Sequence, residues 1–296
     1  MNYIIRDEDS VISKWMGLGA SGWRLDVADE LPDEFIKVLK SRMKGLNESS
    51  VLIGEVWEDA SNKTAYNINR EYFFGEELDS VTGYPFRDAI IDFLKGHISS
   101  RDIEGRLMSL YENYPKEAFY SSMNVLGTHD TERILTMLEK HAGSSEEGER
   151  LLKLAVAFQM TFPGVPLIYY GDEAGITGDK DPSNRKTYPW GKENAEILSW
   201  YKKLTAIRGS QEVFKKGDLS FYPLEGDLIA FERNLGNDTA LVLINRSMDS
   251  KFIELRLNKE VGALKNLLNP EERIAYGMTI LSTRMGPQEV KILINK

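Results

Sequence analysis

Along roughly the first 210 residues, short apolar runs alternate with longer stretches in which apolar positions recur three and four apart. The runs GWRLDVA (22–28), SVLIGEVW (50–57), LDSV (78–81), MNVLGTH (123–129) and PLIYYG (166–171) are bounded by Gly, Pro or polar residues, and they predict buried strands. Between them DEFIKVLKSRMKGL, PFRDAIIDFLKGHI and ERLLKLAVAFQMTF carry the spacing of amphipathic helices. NAEILSWYKKLTAIRGS predicts a further helix, broken by Gly209 and Ser210. Strand–helix alternation of this kind implies a parallel sheet.

From about residue 214 the pattern changes. LSFYPLEGDLIAFERNLGNDTALVLINRS and EVKILIN alternate apolar and polar residues with a period of two, interrupted by Gly, Asn and Asp. This predicts hairpins of a separate antiparallel domain. The expected organisation is an α/β domain over 1–211 and an all-β domain over 212–296. Five parallel strands are too few for a closed barrel, which needs eight, whereas an open doubly wound sheet accommodates five. The hydrophobic pattern leaves both architectures open.

Composition narrows the function classes. With 42% hydrophobic and 28% charged residues among 296, the chain can bury a sizeable core. A net charge of −9 argues against nucleic acid and anionic membranes as partners, because both select clustered Lys and Arg. The chain has no cysteine, which excludes disulfides, thiolate metal sites and a cysteine nucleophile. The acidic start MNYIIRDEDSVISKW lacks the apolar core of a signal peptide, and no apolar run is long enough to span a membrane, so a cytoplasmic location is expected.

The chemistry lies in carboxylates at strand ends. Alternation along the first strand would place Gly22, Arg24, Asp26 and Ala28 on one face, so that Arg24 keeps Asp26 ionised, as a nucleophile requires. A buried structural ion pair is the competing explanation. Glu55 follows the apolar run VLIG and stands near Trp57; apolar surroundings would help it hold a proton and act as a general acid. His129 and Asp130 end the fourth strand, where Asp130 could equally cap a helix beginning with Glu132 and Arg133. Acidic residues at the carboxy-terminal ends of several strands match the place where parallel α/β folds build their sites. One ionised and one protonated carboxyl are what glycosidic cleavage needs.

At these residues the chain resembles the α-amylase superfamily of glycoside hydrolases, in its neopullulanase, cyclomaltodextrinase and amylopullulanase branch. GWRLDVADE resembles the nucleophile segment, LIGEVWEDA the proton-donor segment, and NVLGTHDTER the segment whose His-Asp pair grips the reacting sugar. FPGVPLIYYGDEAGITGDKDPSNR resembles the last barrel strand and the loop after it. LPDEF and LDSVTGYPFRDA also match this branch, with Thr82-Gly83 in place of the more usual Met-Asn.

The resemblance implies catalytic Asp26, Glu55 and Asp130, and substrate contacts from Arg24, His129, Asp181, Arg185, Glu30 and Trp57. It implies a retaining α-glucan hydrolase acting on starch, maltodextrin, cyclodextrin or pullulan. A glucan transferase or sugar isomerase would use the same groups, and an inactive scaffold is the alternative of another class. No cofactor is implied; calcium, which family members often bind, has no assignable ligands here. The upstream Asp-Gly-x-x-x-Asn-His motif of the family is absent, since the chain's histidines are His97, His129 and His141. The resemblance therefore maps the five strands onto strands four to eight of a (β/α)8 barrel, followed by a β-sandwich. A partial barrel leaves open edges, for which a second copy or a complementing chain is the expected partner.

Overall fold

The computed structural model describes residues 1–260, 263–274, 276–277 and 279–295. It resolves into two compact units: Met1–Phe86 with Leu107–Asn124, and Arg87–Arg106 with Val125–Lys296.

In the first unit, β1 (Gly22–Leu25), β2 (Val51–Gly54) and β3 (Ser80–Val81) form a parallel sheet in that order. A parallel bridge from Thr82 to Met123 leads to β4 (Met123–Val125). Gly22 faces Val51 so closely that a Cβ there would meet the Val51 carbonyl at 2.3 Å, which reserves the position for glycine. After a short helix, α1 (Val11–Gly17), capped by the Ser10 side chain, the chain enters β1 and returns to β2 through α2 (Asp33–Leu46). Helix α2 begins after Pro32 with Asp33 and Glu34 in its first turn and Lys44 in its last, charges that suit the helix dipole. Its face Ile36, Leu39, Met43 is buried at the predicted spacing.

The second unit contains β5 (Val165–Leu167) and a helical hairpin of α6 (Ile134–Ala142) and α7 (Ser145–Thr161); the helices α3 (Tyr84–Leu94), α4 (Ser100–Asn113) and α5 (Lys116–Tyr120) precede it in the chain. Gly143 closes α6 in the left-handed region at φ 76°, and the Ser144 hydroxyl accepts the Glu147 amide to start α7. Helix α8 (Ala195–Ser210) is capped by Asn194. It runs through Gly209 and Ser210, where the pattern predicted a break. Arg208 donates from Nη1 to the carbonyls of Met160 and Phe162, and that anchorage outweighs the roughly 1 kcal/mol a glycine costs inside a helix.

Towards the carboxy terminus of the second unit a run of antiparallel strands comprises β6 (Asp218–Tyr222), β7 (Leu228–Leu235), β8 (Asp238–Asn245), β9 (Lys251–Arg256), β10 (Leu264–Asn266), β11 (Arg273–Ile274), β12 (Tyr276–Gly277), β13 (Ile280–Met285) and β14 (Val290–Ile294). One sheet has the order β11-β10-β14-β8-β7-β6 and the other β9-β13-β12. The two-residue Gly236-Asn237 turn, with Gly236 at φ 58°, sets the β7–β8 register, Leu235 opposite Asp238. Leu241, Leu243 and Leu293 of the first sheet share one apolar cluster with Ile253, Leu255, Leu281 and Met285 of the second. Along β9 the alternation is clean: Phe252 is exposed, Ile253 buried, Glu254 exposed and Leu255 buried.

Candidate active site

Strand β1 stops at Leu25, one residue before Asp26. The next residue, Val27, sits in the left-handed region at φ 44° and ψ 58°, and Ala28 opens a short 3-10 turn. The expected alternation therefore ends at Arg24: Asp26 and Ala28 belong to the turn, where Asp26 is 68% exposed and Ala28 buried. Glu55 lies just beyond β2 and is 3% exposed.

One guanidinium joins the two carboxylates. Arg24 Nη1 is 2.6 Å from Asp26 Oδ1, and Arg24 Nη2 is 2.9 Å from Glu55 Oε1. The planar fork of an arginine suits two such contacts at once. Glu55 is not set among apolar neighbours as its sequence context suggested. Its Oε2 accepts the Val27 amide at 2.9 Å, and its Oε1 accepts the Tyr84 hydroxyl at 3.2 Å beside the Arg24 contact. Trp57 stacks on Tyr84 with centroids 4.1 Å apart and planes 10° from parallel, leaving Trp57 half-exposed. This is an apolar face of the sort a sugar ring occupies.

The segment after Asp26 is pinned from the other side. Arg70 donates to the carbonyls of Asp29 and Leu31 and pairs with Asp33. The Tyr72 hydroxyl donates to Asp29 Oδ1 at 2.6 Å; burial, with Asp29 adding to it, pushes that phenol well above its ordinary range. Lys63 lies 3.0 Å from the same carboxylate. Glu30 accepts the hydroxyl of Tyr66.

The second unit brings together the other predicted residues. His129 Nε2 is 3.2 Å from Asp130 Oδ2, Arg185 Nη2 is 3.6 Å from Asp130 Oδ1, and Arg185 Nε is 3.1 Å from Asp181 Oδ1. Four residues from two loops thus form one chain of polar contacts. Asp130 is not a helix cap, since that position before α6 belongs to Arg133.

Arg133, with Asn184 and Asp172, was not singled out from the sequence, yet these three hold the cluster. Arg133 is fully buried; its Nε donates to the Asn184 carbonyl at 2.8 Å, and its Nη1 reaches the Tyr170 carbonyl at 2.6 Å and Asp172 Oδ1 at 2.8 Å. Its guanidinium lies 4.0 Å from the Tyr169 ring centroid. The Asn184 amide donates to the carbonyls of His129 and Thr131 at 2.7 and 2.8 Å, tying the Asp181–Arg185 loop to the His129–Asp130 loop. Burial pushes the Asp172 carboxyl up to about 7, against the pull of Arg133. A Cβ on Gly127 would lie 2.1 Å from Asp172 Oδ2, so that approach requires glycine. The legible signal was an Arg directly before the apolar run that opens at Ile134 and an Asp two residues after the run that closes at Tyr170. Among the described residues no group of three or more His, Asp and Glu is placed to hold a metal ion, and no helix is long and apolar enough to cross a membrane.

Strand-end carboxylates joined by an arginine, in an α/β fold followed by antiparallel sheets, place the chain among α/β proteins that build their sites at the carboxy-terminal ends of strands. Residues 3–195 match the α-amylase catalytic domain, and the chain belongs to that family. It is 36% identical over 317 residues to an amylopullulanase of Thermoanaerobacterium thermosulfurigenes, covering 94% of this chain and 16% of that protein. It is 34% identical over 264 residues to a cyclomaltodextrinase of Geobacillus thermopakistaniensis, covering 88% of this chain and 42% of the relative. Its structure resembles the cyclic α-maltosyl-(1→6)-maltose hydrolase of Arthrobacter globiformis, with a TM-score of 0.79 and 26% identity over 97% of this chain and 59% of the other. The chain spans less than half the length of the two sequence relatives.

Proposed function

We propose that this chain carries the catalytic carboxylates of a retaining α-glucan hydrolase, with Asp26 as nucleophile and Glu55 as acid and base. The observation that carries the reading is the Arg24 fork, which holds both carboxylates within the reach of one guanidinium. That short span supports direct attack by Asp26 over the wider gap, roughly 6.5–9.5 Å, of a water-mediated inverting site. The substrate class follows the names of the relatives: pullulan, cyclomaltodextrins and maltodextrins.

In the first step Glu55 gives its proton to the glycosidic oxygen as the bond from that oxygen to the anomeric carbon breaks. Asp26 forms an ester bond to the same carbon, and the leaving sugar departs with the proton. In the second, Glu55 takes a proton from water as the water oxygen bonds to the anomeric carbon and releases Asp26. A sugar hydroxyl in place of water gives transglycosylation. Arg24 orients Asp26, and the exposed Trp57 face receives a sugar ring. His129, Asp130, Asp181 and Arg185 hydrogen-bond sugar hydroxyls, and Glu30 contributes on the leaving-group side. On this reading β1–β5 correspond to strands four to eight of the family barrel, and β6–β14 to the sandwich after it.

The test is to incubate the purified chain with pullulan, a cyclomaltodextrin and maltotriose, and to follow the anomer formed first by proton NMR. Initial α-anomer, lost in Asp26→Asn, is the expected result. Initial β-anomer would overturn retention, and no product from any substrate at high protein concentration would overturn the hydrolase assignment.

A further inference from the structure

Val27 is a β-branched residue in the left-handed region, at φ 44° and ψ 58°. Such a residue is a genuine outlier there and persists only where its surroundings over-determine it. The residue is 47% exposed, so burial does not hold it. Three hydrogen bonds do. The Glu55 amide donates to the Leu25 carbonyl at 2.9 Å, the Ala28 amide donates to the Glu55 carbonyl at 3.1 Å, and between them the Val27 amide donates to Glu55 Oε2 at 2.9 Å. The outer two tie backbone to backbone. The middle one alone ends on a reactive oxygen.

The donor is the peptide that joins Asp26 to Val27. The Glu55 carboxylate is therefore tied to Asp26 twice: to its side chain through the Arg24 fork, and to its backbone through a rigid peptide plane with one hydrogen bond. The fork is a side chain with several torsions, 30% exposed. The peptide has none.

We infer that the Asp26–Val27 peptide, held by the left-handed turn at Val27, is a positioning group that sets the separation of the two carboxylates. This rests on the reading of Asp26 and Glu55 as the reacting pair. Glycine at 27 would relax the turn and keep the N–H, but leave its direction free. Valine retains the strain and fixes the direction.

The experiment uses the chain labelled with 15N-valine. The Val27 amide is expected to exchange with solvent roughly tenfold more slowly than in Glu55→Ala, the loss of one hydrogen bond. Val81, Val125 and Val156 serve as internal controls for folding. Glu55→Asp, one methylene shorter, is the second variant should the alanine change unfold the chain, and it is expected to lose the same protection. Equal exchange in the parent and in whichever variant keeps its control amides protected overturns the inference.

A kinetic arm addresses the role. Val27→Gly is expected to melt at higher temperature while kcat falls roughly tenfold at unchanged KM, the signature of misplaced groups rather than of weaker binding. Val27→Ala, which keeps a Cβ, should fall between. A Val27→Gly chain with parental kcat overturns the positioning role. A parent chain that turns over no glucan defeats the hydrolase reading instead, and the exchange arm then decides the inference by itself.

Discussion

Replacing Arg133 by Met tests whether the buried arginine holds the His129–Asp130 cluster through charge or through packing alone. Methionine keeps much of the apolar stem and removes the guanidinium. Three contacts vanish: those to the Asn184 carbonyl, the Tyr170 carbonyl and Asp172 Oδ1, all within 2.8 Å. Breaking a buried pair by removing one partner typically costs about 3–5 kcal/mol, because the other charge stays behind. Here the charge left behind can take up a proton. Burial has already pushed Asp172 up to about 7 from an ordinary 3.8, with Arg133 opposing that rise. A carboxyl whose folded value exceeds its unfolded one binds its proton more tightly in the fold. Its contribution to stability is therefore present in full below about 4 and is lost as pH rises through about 7.

In Arg133→Met the opposing charge is gone, so the loss continues to higher pH than in the parent. At pH 5.5 Asp172 is protonated in both chains, and the deficit reflects the two orphaned carbonyls, about 2 kcal/mol. At pH 8.5 it should reach about 4–5 kcal/mol. Urea unfolding of both chains at the two pH values, followed by tryptophan fluorescence, measures the difference. A deficit below about 1 kcal/mol at pH 8.5, or one that does not change with pH, would refute the charge-based account.

Other residues give equally concrete expectations. Asp26→Asn should lower turnover at least about a thousandfold while leaving the melting temperature unchanged, because the side chain is exposed and makes a surface pair; parallel calorimetry and reducing-sugar assays read both. Trp57→Ala should cost roughly 1 kcal/mol of stability by removing the stack on Tyr84, and titration calorimetry with maltotriose in an Asp26→Asn background should show weaker binding. Asn184→Asp should destabilise more than Asn184→Ala, since a carboxylate there would face the carbonyls of His129 and Thr131 with no donor to offer; thermal shift compares them. Leu243→Ala, in the fully buried cluster between the antiparallel sheets, should cost about 2–5 kcal/mol by urea titration.

What could be read from residue order concerns local period and chemical type. Apolar runs at β1, β2 and β3 and the spacing in α2 were legible because each segment carries its own local pattern of apolar residues. The hairpin at Gly236-Asn237 was legible because turn geometry selects its residues. Arg24, Asp26, Glu55, His129 and Asp130 were legible as chemistry at strand ends, and Asp181 and Arg185 through the family pattern alone.

What lay beyond reach depends on partners remote in the chain. Nothing in GWRLDVA announces that Val27 turns left-handed, because the Glu55 carboxylate that its amide meets is 28 positions away. The same distance hid the polar surroundings of Glu55, whose neighbours in sequence are apolar while Arg24 and Tyr84 arrive from other segments. Gly209 stays helical through Arg208 and the distant carbonyls of Met160 and Phe162. Arg133 and Asp172 find each other across 39 residues. Local propensity specifies where elements form and which groups they carry; the protonation, direction and spacing of those groups are set by neighbours that only folding brings within a few ångströms.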